Sequence, residues 1–295
     1  MQHKPLNGKV AIVTGAGSPI GMGRAMTFAL VQAGARVAML DINEEWLEQS
    51  AGEVRAVGGD GCVLDLVCDV SDPESVEDAV GKTIAGLGGL HVMINNAGTV
   101  NLEDLAGGNL PKFWDITPET WNRIFAVNSS GPFFMARAAV GHMLDQGWGR
   151  LIGVTTSVDT MYRPGTCPYG PSKASHEALV ALMSRELEGT GVTANVLVPG
   201  GSTDTHVIPS DIAVGRAVLM RPEVMNKPAV WLASEESDGI NGMRLIAHYW
   251  DDSLPIEQRL ERAAAPAAWP QLGKQSIVPG DDFVKRLMPN TDESL

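Results

Sequence analysis

Positive charge is scarce in this sequence: 22 lysines and arginines stand against 35 aspartates and glutamates, for a formal net charge of −13. A nucleic-acid binder would need a basic face to meet phosphates, so no nucleic-acid partner is expected. The same imbalance is a poor match to anionic membrane surfaces. Cysteine is also sparse. Cys62, Cys68 and Cys167 form no CxxC pair, which argues against a disulfide framework. The start, "MQHKPLNGKVAIVTG", shows no secretory n-region or h-region, so a cytoplasmic protein is expected. No apolar run approaches membrane-spanning length, and no repeat or low-complexity segment interrupts the chain. His142, His176 and His206 show no metal-ligand spacing with cysteines or carboxylates, so no catalytic metal is expected. Cys167 lacks an evident histidine base and reads as a small wall residue rather than a nucleophile.

What the chain does have is 295 residues that are 44% hydrophobic, enough for one large buried core. Short apolar runs recur at 10–14, 36–41, 62–68, 91–95, 151–155, 194–198 and 244–247. Most lack polar alternation, as strands buried on both faces do. Helical patterns fill the intervals at about 22–33, 44–57, 73–86, 118–145, 170–188 and 222–234. This alternation predicts right-handed βαβ crossovers and a single α/β domain. The expected fold is a Rossmann-type, doubly wound parallel sheet of about seven strands, with helices on both faces. Residues 1–249 form that domain and 250–295 a C-terminal extension. The extension carries Pro255, Pro266, Pro270, Pro279 and Pro289. Its apolar residues predict an ordered arm, with Trp269 and Phe283 buried on the substrate loop or a neighbouring subunit.

The first strand runs into "VTGAGSPIGMGRA". Glycines between a parallel strand and a helix put backbone N–H groups and the positive helix end under an anion. Gly21 and Gly23 would let a pyrophosphate approach the backbone without Cβ interference. The GxGxxG spacing is absent, because Ile20 stands five residues after Gly15. Asp41 closes the second strand, where a carboxylate can accept ribose hydroxyl hydrogens and would repel a 2′-phosphate. Asn43, just ahead of Glu44 and Glu45, is the better candidate cap for the next helix. The cofactor reading is therefore NAD.

"CPYGPSKASHEAL", at 167–179, sets a tyrosine four residues before a lysine. Tyr169 and Lys173 then share a helix face. Pro171 is tolerable only in a first turn, so the helix is expected to begin or kink near Tyr169. A free phenol, with a pKa of about 10, is a poor base at neutral pH. The neighbouring ammonium and the helix N-terminus are expected to lower it.

"TGAGSPIGMG", "NNAG" at 95–98, Asn128 in "VNSSGPF", "YGPSK" at 169–173 and "VPGG" at 198–201 stand in the order and approximate spacing of the short-chain dehydrogenase/reductases. The chain resembles that family over about residues 7–248. The resemblance implies Tyr169 as acid/base, with Lys173 tuning it and binding nicotinamide-ribose hydroxyls. Asn128 would support a proton-relay water. Ser157 or Thr156 would orient the substrate oxygen, with a slight preference for Ser157. It further implies cofactor contacts from Gly15, Gly17, Ile20, Gly21, Met22 and Gly23 in the first loop, and from Asp41 and Ile42 after the second strand. Asp69 and Val70 would lie beside the adenine, with a helix cap as the other reading of Asp69. Asn96, Ala97 and Gly98 would line the pocket beside Asn95. Pro199, Gly200 and Thr203 follow the sixth strand, and Tyr169 and Lys173 complete the set. The family's glycine spacing would put a glycine at Pro19, so the loop is expected to bulge outward while Gly21 and Gly23 keep their roles.

The resulting expectation is an NAD-dependent oxidoreductase that moves a hydride between the nicotinamide and a secondary alcohol or ketone. Loops 99–117 and 201–225 mix Phe113, Trp114, Ile208 and Met220 with Asp204, His206 and Arg221. A cyclic or aromatic alcohol is expected, with a polyol or hydroxy acid using Arg163 or Arg221 as the alternative. Trp114, Met161, Met220 and Met225 read as core or as substrate wall. A non-catalytic dinucleotide-binding sensor or scaffold, and a sugar-nucleotide epimerase or dehydratase, are the readings from other classes. The family resemblance also implies a homodimer or homotetramer, formed through the helix carrying Tyr169 and the long helix before it.

Overall fold

The computed structural model describes residues 4–101, 111–208 and 215–272. The chain opens with β1 (Val10–Thr14), α1 (Met22–Gln32), β2 (Arg36–Asp41), α2 (Glu44–Gly58), β3 (Val63–Val67), α3 (Pro73–Leu87) and β4 (Val92–Asn95). It continues with α4 (Pro118–Phe125), α5 (Gly131–Asp145), β5 (Gly149–Val154), the short α6 (Val158–Tyr162), α7 (Tyr169–Glu186) and β6 (Val192–Val198). The last elements are α8 (Asn226–Leu232), β7 (Met243–Ile246), α9 (Ile256–Ala263) and β8 (Ala264–Pro266). The sheet has eight strands in the order β3-β2-β1-β4-β5-β6-β7-β8. All pairs are parallel except β7 with β8.

Both faces of this sheet are buried because the strands carry apolar residues at consecutive positions. Successive side chains in β1 point to opposite faces. Ala11 and Val13 join a core with Met26 and Leu30 of α1, Leu47 and Val54 of α2, and Leu232 of α8. Val10 and Ile12 join another with Val76 and Val80 of α3, Met135 and Met143 of α5, and Val180 of α7. The strand order reverses between β1 and β4. Such a switch point opens a crevice at the carboxyl ends of the strands.

Of the extension beyond Tyr249, residues 250–272 are described and pack on their own sheet, and the rest of the expected arm lies outside the described residues. The first part folds as α9 and β8, and β8 adds an antiparallel edge to the sheet, with Arg244 opposite Ala265. Pro266 is tolerated there because an edge strand has one face without ladder partners. Trp269 is only partly buried, and Phe283 lies outside the described residues. The long helix expected over 118–145 is also interrupted, by a π turn at Ala126–Ser130 between α4 and α5. One inserted residue changes the hydrogen-bond pattern from four to five residues, which hydrophobic periodicity does not signal.

Candidate active site

The loop after β1 is tied down through its main chain. The Gly17 N–H donates to Asp41 Oδ2 at 2.8 Å, and the Asn43 N–H donates to Asp41 Oδ1 at 3.0 Å. Ser50 donates to the Gly17 carbonyl at 2.7 Å. The loop therefore lies inward against β2 and α2 at Gly17. Its additional residues form a tight turn at Pro19 and Ile20, closed by the Gly21 N–H on the Ser18 carbonyl at 2.9 Å. The expected outward bulge is here a tight turn that follows a loop held inward at Gly17.

Helix α1 then begins at Gly21 with no side-chain cap and no acidic residue in its first turn. Its leading N–H groups have no partner within the helix. A Cβ on Gly23 would collide with the Gly15 carbonyl oxygen and stand 2.7 Å from Asn96 Nδ2, so only glycine fits. Gly15 has φ +63 and faces the backbone of Ala97 at 2.9 Å from its own would-be Cβ. An open helix start without an acidic residue, beside a close-packed glycine loop, fits a dinucleotide pyrophosphate. Asn43 caps α2 by accepting from the Trp46 N–H at 2.9 Å, which leaves Asp41 out of that duty.

The turn after β4 is stitched to β1. Thr14 Oγ1 accepts from the N–H groups of Asn96 and Ala97 at 3.0 and 2.9 Å. Asn96 Nδ2 donates to the carbonyls of Thr14 and Gly15. Asp69 accepts from the Ser71 N–H and hydroxyl, while Asp72 caps α3, so the cap reading of Asp69 does not hold. Val70 packs where a Cβ on Gly131 would touch it at 3.0 Å. Ile20 and Ile42 are exposed at the rim, and Met22 is partly buried in the first turn of α1. Past β6, the Pro199 carbonyl accepts from the His248 N–H, Gly200 takes φ +103, and Thr203 pairs with Met220.

Helix α7 starts at Tyr169, where Pro171 required it to start. Lys173, one turn on, is 3% exposed and donates to the Val154 carbonyl at 2.9 Å. Burial lowers its pKa to about 8. Gly98 borders it: a Cβ there would lie 3.3 Å from Lys173 Nζ and 3.4 Å from Asn128 Oδ1. Asn128 sits at the centre of the π turn and is fully buried. Its amide donates to the Thr99 carbonyl at 2.9 Å and to Ser172 Oγ at 3.0 Å, and its oxygen accepts from the Thr99 N–H.

Tyr169 differs from expectation in one respect. Burial raises its phenol above the ordinary value, and a hydrogen bond with Thr156 only partly offsets that. Desolvation penalises the phenolate more than the nearby groups support it. The two hydroxyls beside Tyr169 are also distinguished. Ser157 caps α6, bonding the Thr160 N–H at 3.2 Å and the Thr160 hydroxyl at 2.7 Å. Thr156 is the neighbour whose hydrogen bond acts against burial on the phenol.

Three contacts escape a reading of the sequence. His206 stacks on Trp46 with ring centroids 4.6 Å apart and bonds Ser18 Oγ at 2.8 Å, so the loop after β6 reaches across to the glycine turn. Ser172 is fully buried behind the tyrosine and accepts from Asn128. Arg244 and Glu177 form a buried ion pair behind Thr156. Of the proposed wall residues, Met225 is core, Met161 is buried, Met220 is partly buried and Trp114 is exposed. No described residues form a cluster able to hold a metal ion, and no described helix is long and apolar enough to cross a membrane.

A Rossmann-type sheet with an open glycine-loop helix at its switch point, and a Tyr-Lys pair across the crevice, defines a dinucleotide-dependent oxidoreductase class. The chain belongs to the short chain dehydrogenase family, whose sequence profile matches residues 9–211. Among its relatives, 2,5-dichloro-2,5-cyclohexadiene-1,4-diol dehydrogenase LinX of Sphingobium indicum is 31% identical, over 81% of this chain and 94% of the relative. D-threitol dehydrogenase of Mycolicibacterium smegmatis is 30% identical, over 82% and 92%. The crystal structure of a dehydrogenase/reductase from Sinorhizobium meliloti superposes with TM-score 0.70 at 29% identity, over 81% of this chain and 93% of that one. The protein is thus an oxidoreductase of CH–OH donors that uses a nicotinamide dinucleotide.

Proposed function

We propose that the protein is an NAD-dependent dehydrogenase of secondary alcohols, acting through Tyr169, Lys173, Thr156 and Asn128. The observation that carries this is the buried Lys173 ammonium, which has three donors and a protein acceptor for one of them at Val154. Beside Gly98, its remaining donors suit the two hydroxyls of a nicotinamide ribose. A bound nicotinamide would take up or supply the hydride. In oxidation, the carbinol carbon would lose its hydride to that group, and the hydroxyl proton would pass to Tyr169 as Tyr169 gives up its own proton through the relay at Asn128, so that a carbonyl forms. The elevated phenol leaves Tyr169 protonated in the free enzyme, ready to give that proton in the reverse direction. Thr156 orients the substrate oxygen, because Ser157 is engaged in its cap. Asn128 supports a relay water at the π turn, where the helix gives up a regular main-chain bond.

NAD over NADP rests on Asp41. Its two oxygens accept one N–H each, and a carboxylate has about four lone-pair sites, so acceptors remain for the ribose hydroxyls. Ile42 and Asn43 follow it and supply no basic side chain for a 2′-phosphate. The names of two relatives specify a cyclic diol and a four-carbon polyol, which favours a cyclic diol or a short-chain polyol. Arg221, the candidate partner of a hydroxy acid, lies near Asp204 at 3.6 Å and Glu223 at 3.8 Å, and Arg163 is exposed. Exposed Trp121 and Phe133 on α4 and α5, and Leu182 on α7 (39%, 47% and 53%), support a homodimer or homotetramer through those helices. Residues 1–249 would be the catalytic unit, with 250–272 closing the sheet edge. Three free cysteines suit a cytoplasmic location.

Steady-state kinetics with NAD and NADP test this, using cyclohexanol, cyclohexane-1,2-diol, threitol, 1-phenylethanol and 3-hydroxybutyrate. NAD should be preferred, and Asp41→Ala should weaken NAD about 10–100-fold, the span for losing hydrogen bonds to a charged group. Equal efficiency with NADP in the wild type would remove the ribose assignment.

A further inference from the structure

Tyr169, Lys173 and Glu177 stand at i, i+4 and i+8 on one face of α7, and the face is matched residue by residue to the end of β5. Lys173 holds the Val154 carbonyl. Glu177 accepts from the Thr155 hydroxyl at 3.1 Å. Tyr169 meets the Thr156 hydroxyl. Arg244, from β7, closes the arrangement. Its Nη1 pairs with Glu177 Oε2 and reaches Thr155 Oγ1 at 3.5 Å, while Nη2 donates to the Thr156 carbonyl at 2.6 Å. Glu177 and Thr155 are at most 3% exposed and Arg244 7%.

A buried ion pair is weak evidence of stabilisation, because desolvation of both charges offsets their attraction. Stability alone therefore does not account for one behind the active site. The other buried arginine of this sheet makes a useful contrast. Arg150, at the opposite end of β5, donates to the carbonyls of Gly149, Gly191 and Ser234 and pairs with the exposed carboxylate of Asp238. Those groups lie at the N-terminal rim of the sheet, away from Tyr169. Of these two buried arginines, Arg244 is the one that grips the main chain of Thr156, the residue whose side chain hydrogen-bonds the phenol.

We infer that Arg244 and Glu177 are positioning residues: the pair fixes the main chain at Thr156 so that its hydroxyl and the Tyr169 phenol converge on the substrate oxygen. The inference rests on the proposed roles of Tyr169 and Thr156. Arginine is needed because its planar fork reaches two acceptors at once, whereas a lysine ammonium is a point charge. Small displacements matter here, since a shift of about 1 Å in a catalytic group can cost about 100-fold in rate.

The test is the double variant Glu177→Leu/Arg244→Met, which removes both charges together, alongside Arg244→Lys, which keeps the buried charge balance. Kinetics use NAD and whichever alcohol of the panel above the wild type oxidises fastest. Melting temperature and NADH affinity, by fluorescence titration, are measured on the same samples. The double variant should fold with a melting temperature near wild type and bind NADH within about twofold, while kcat falls about 10–100-fold. Arg244→Lys should show the same split, and it decides the matter if the double variant does not fold. Wild-type kcat in either folded variant, or a loss of kcat matched by an equal loss of NADH affinity, overturns the inference. Tyr169→Phe separates the two levels. If it stays active, the proposed mechanism fails, and if it is inactive while the folded variants are wild-type, only the positioning role fails.

Discussion

Helices α1, α2 and α3 each follow a parallel strand of the same sheet, yet they begin differently. Asn43 caps α2 ahead of Glu44 and Glu45, and Asp72 caps α3 ahead of Glu74. Helix α1 has neither a side-chain cap nor an acid in its first turn. Each capped start has a side-chain acceptor for one first-turn N–H and an acid beside it, so these starts serve the fold. The uncapped start, held open by glycines, keeps its N–H groups and positive end for a ligand. Across the crevice, α7 begins in a third way, with side chains buried rather than backbone left open. In the proposed function, the α1 end holds the pyrophosphate and the α7 end carries the reacting hydroxyl.

Tyr169→Phe should sharpen that division most. It removes one oxygen at the reacting end, so kcat should fall by about two to four orders of magnitude, while NADH affinity and melting temperature stay near wild type. A parallel fall in NADH affinity would break the comparison, because it would make the Tyr169 hydroxyl, and not Lys173 alone, part of cofactor binding on α7.

The cofactor end is largely legible in the sequence because glycine and capping residues act through the local backbone. Gly21, Gly23 and Asn43 declare themselves within a few positions of the helix they start. Pro171 fixes the start of α7 for the same reason. The contacts that the sequence hides depend on distant partners. Nothing near Thr156 announces Arg244, 88 residues away, and nothing near Ser18 announces His206, 188 residues away. The π turn at Asn128 is local but leaves apolar periodicity almost unchanged. The direction of the Tyr169 shift is opposite to expectation because spacing shows the ammonium and not the depth of burial, and burial is the larger effect. The described part of the extension differs from expectation because prolines break a central strand, whereas an edge strand tolerates them.

Lys173 gives the next effect. Its pKa falls from an ordinary 10.5 to about 8 in the fold, through burial. The unfolded chain therefore binds the proton more tightly than the folded one. Stability rises with pH between about 8 and 10.5, and the cost is fully present below 8. Lys173→Met removes this titration. Denaturant melts of wild type and variant at pH 7, 9 and 10.5 should show their stability difference shifting by a few kcal/mol in favour of the wild type as pH rises. A pH-independent difference would mean that the ammonium is solvated, and the contrast between an open and a buried helix start would weaken.

The smallest effect comes from the capped helices. Asn43→Ala and Asp72→Ala each remove one side-chain acceptor from a first-turn N–H. A lost cap costs about 1 kcal/mol, which for a chain of this size lowers the melting temperature by only a few degrees. Asn43→Ala is the more demanding case. Its backbone N–H, retained in alanine, is what holds Asp41 Oδ1, so the carboxylate keeps its place although the helix loses its cap. Stability should therefore drop with NADH affinity unchanged, and Asp72→Ala should behave alike at greater distance from the ribose. Calorimetry paired with NADH titration reads both quantities on one preparation. If either variant weakened NADH more than about threefold, a capped start would be serving the ligand as well as the fold, and the absence of a cap would no longer set α1 apart from α2 and α3.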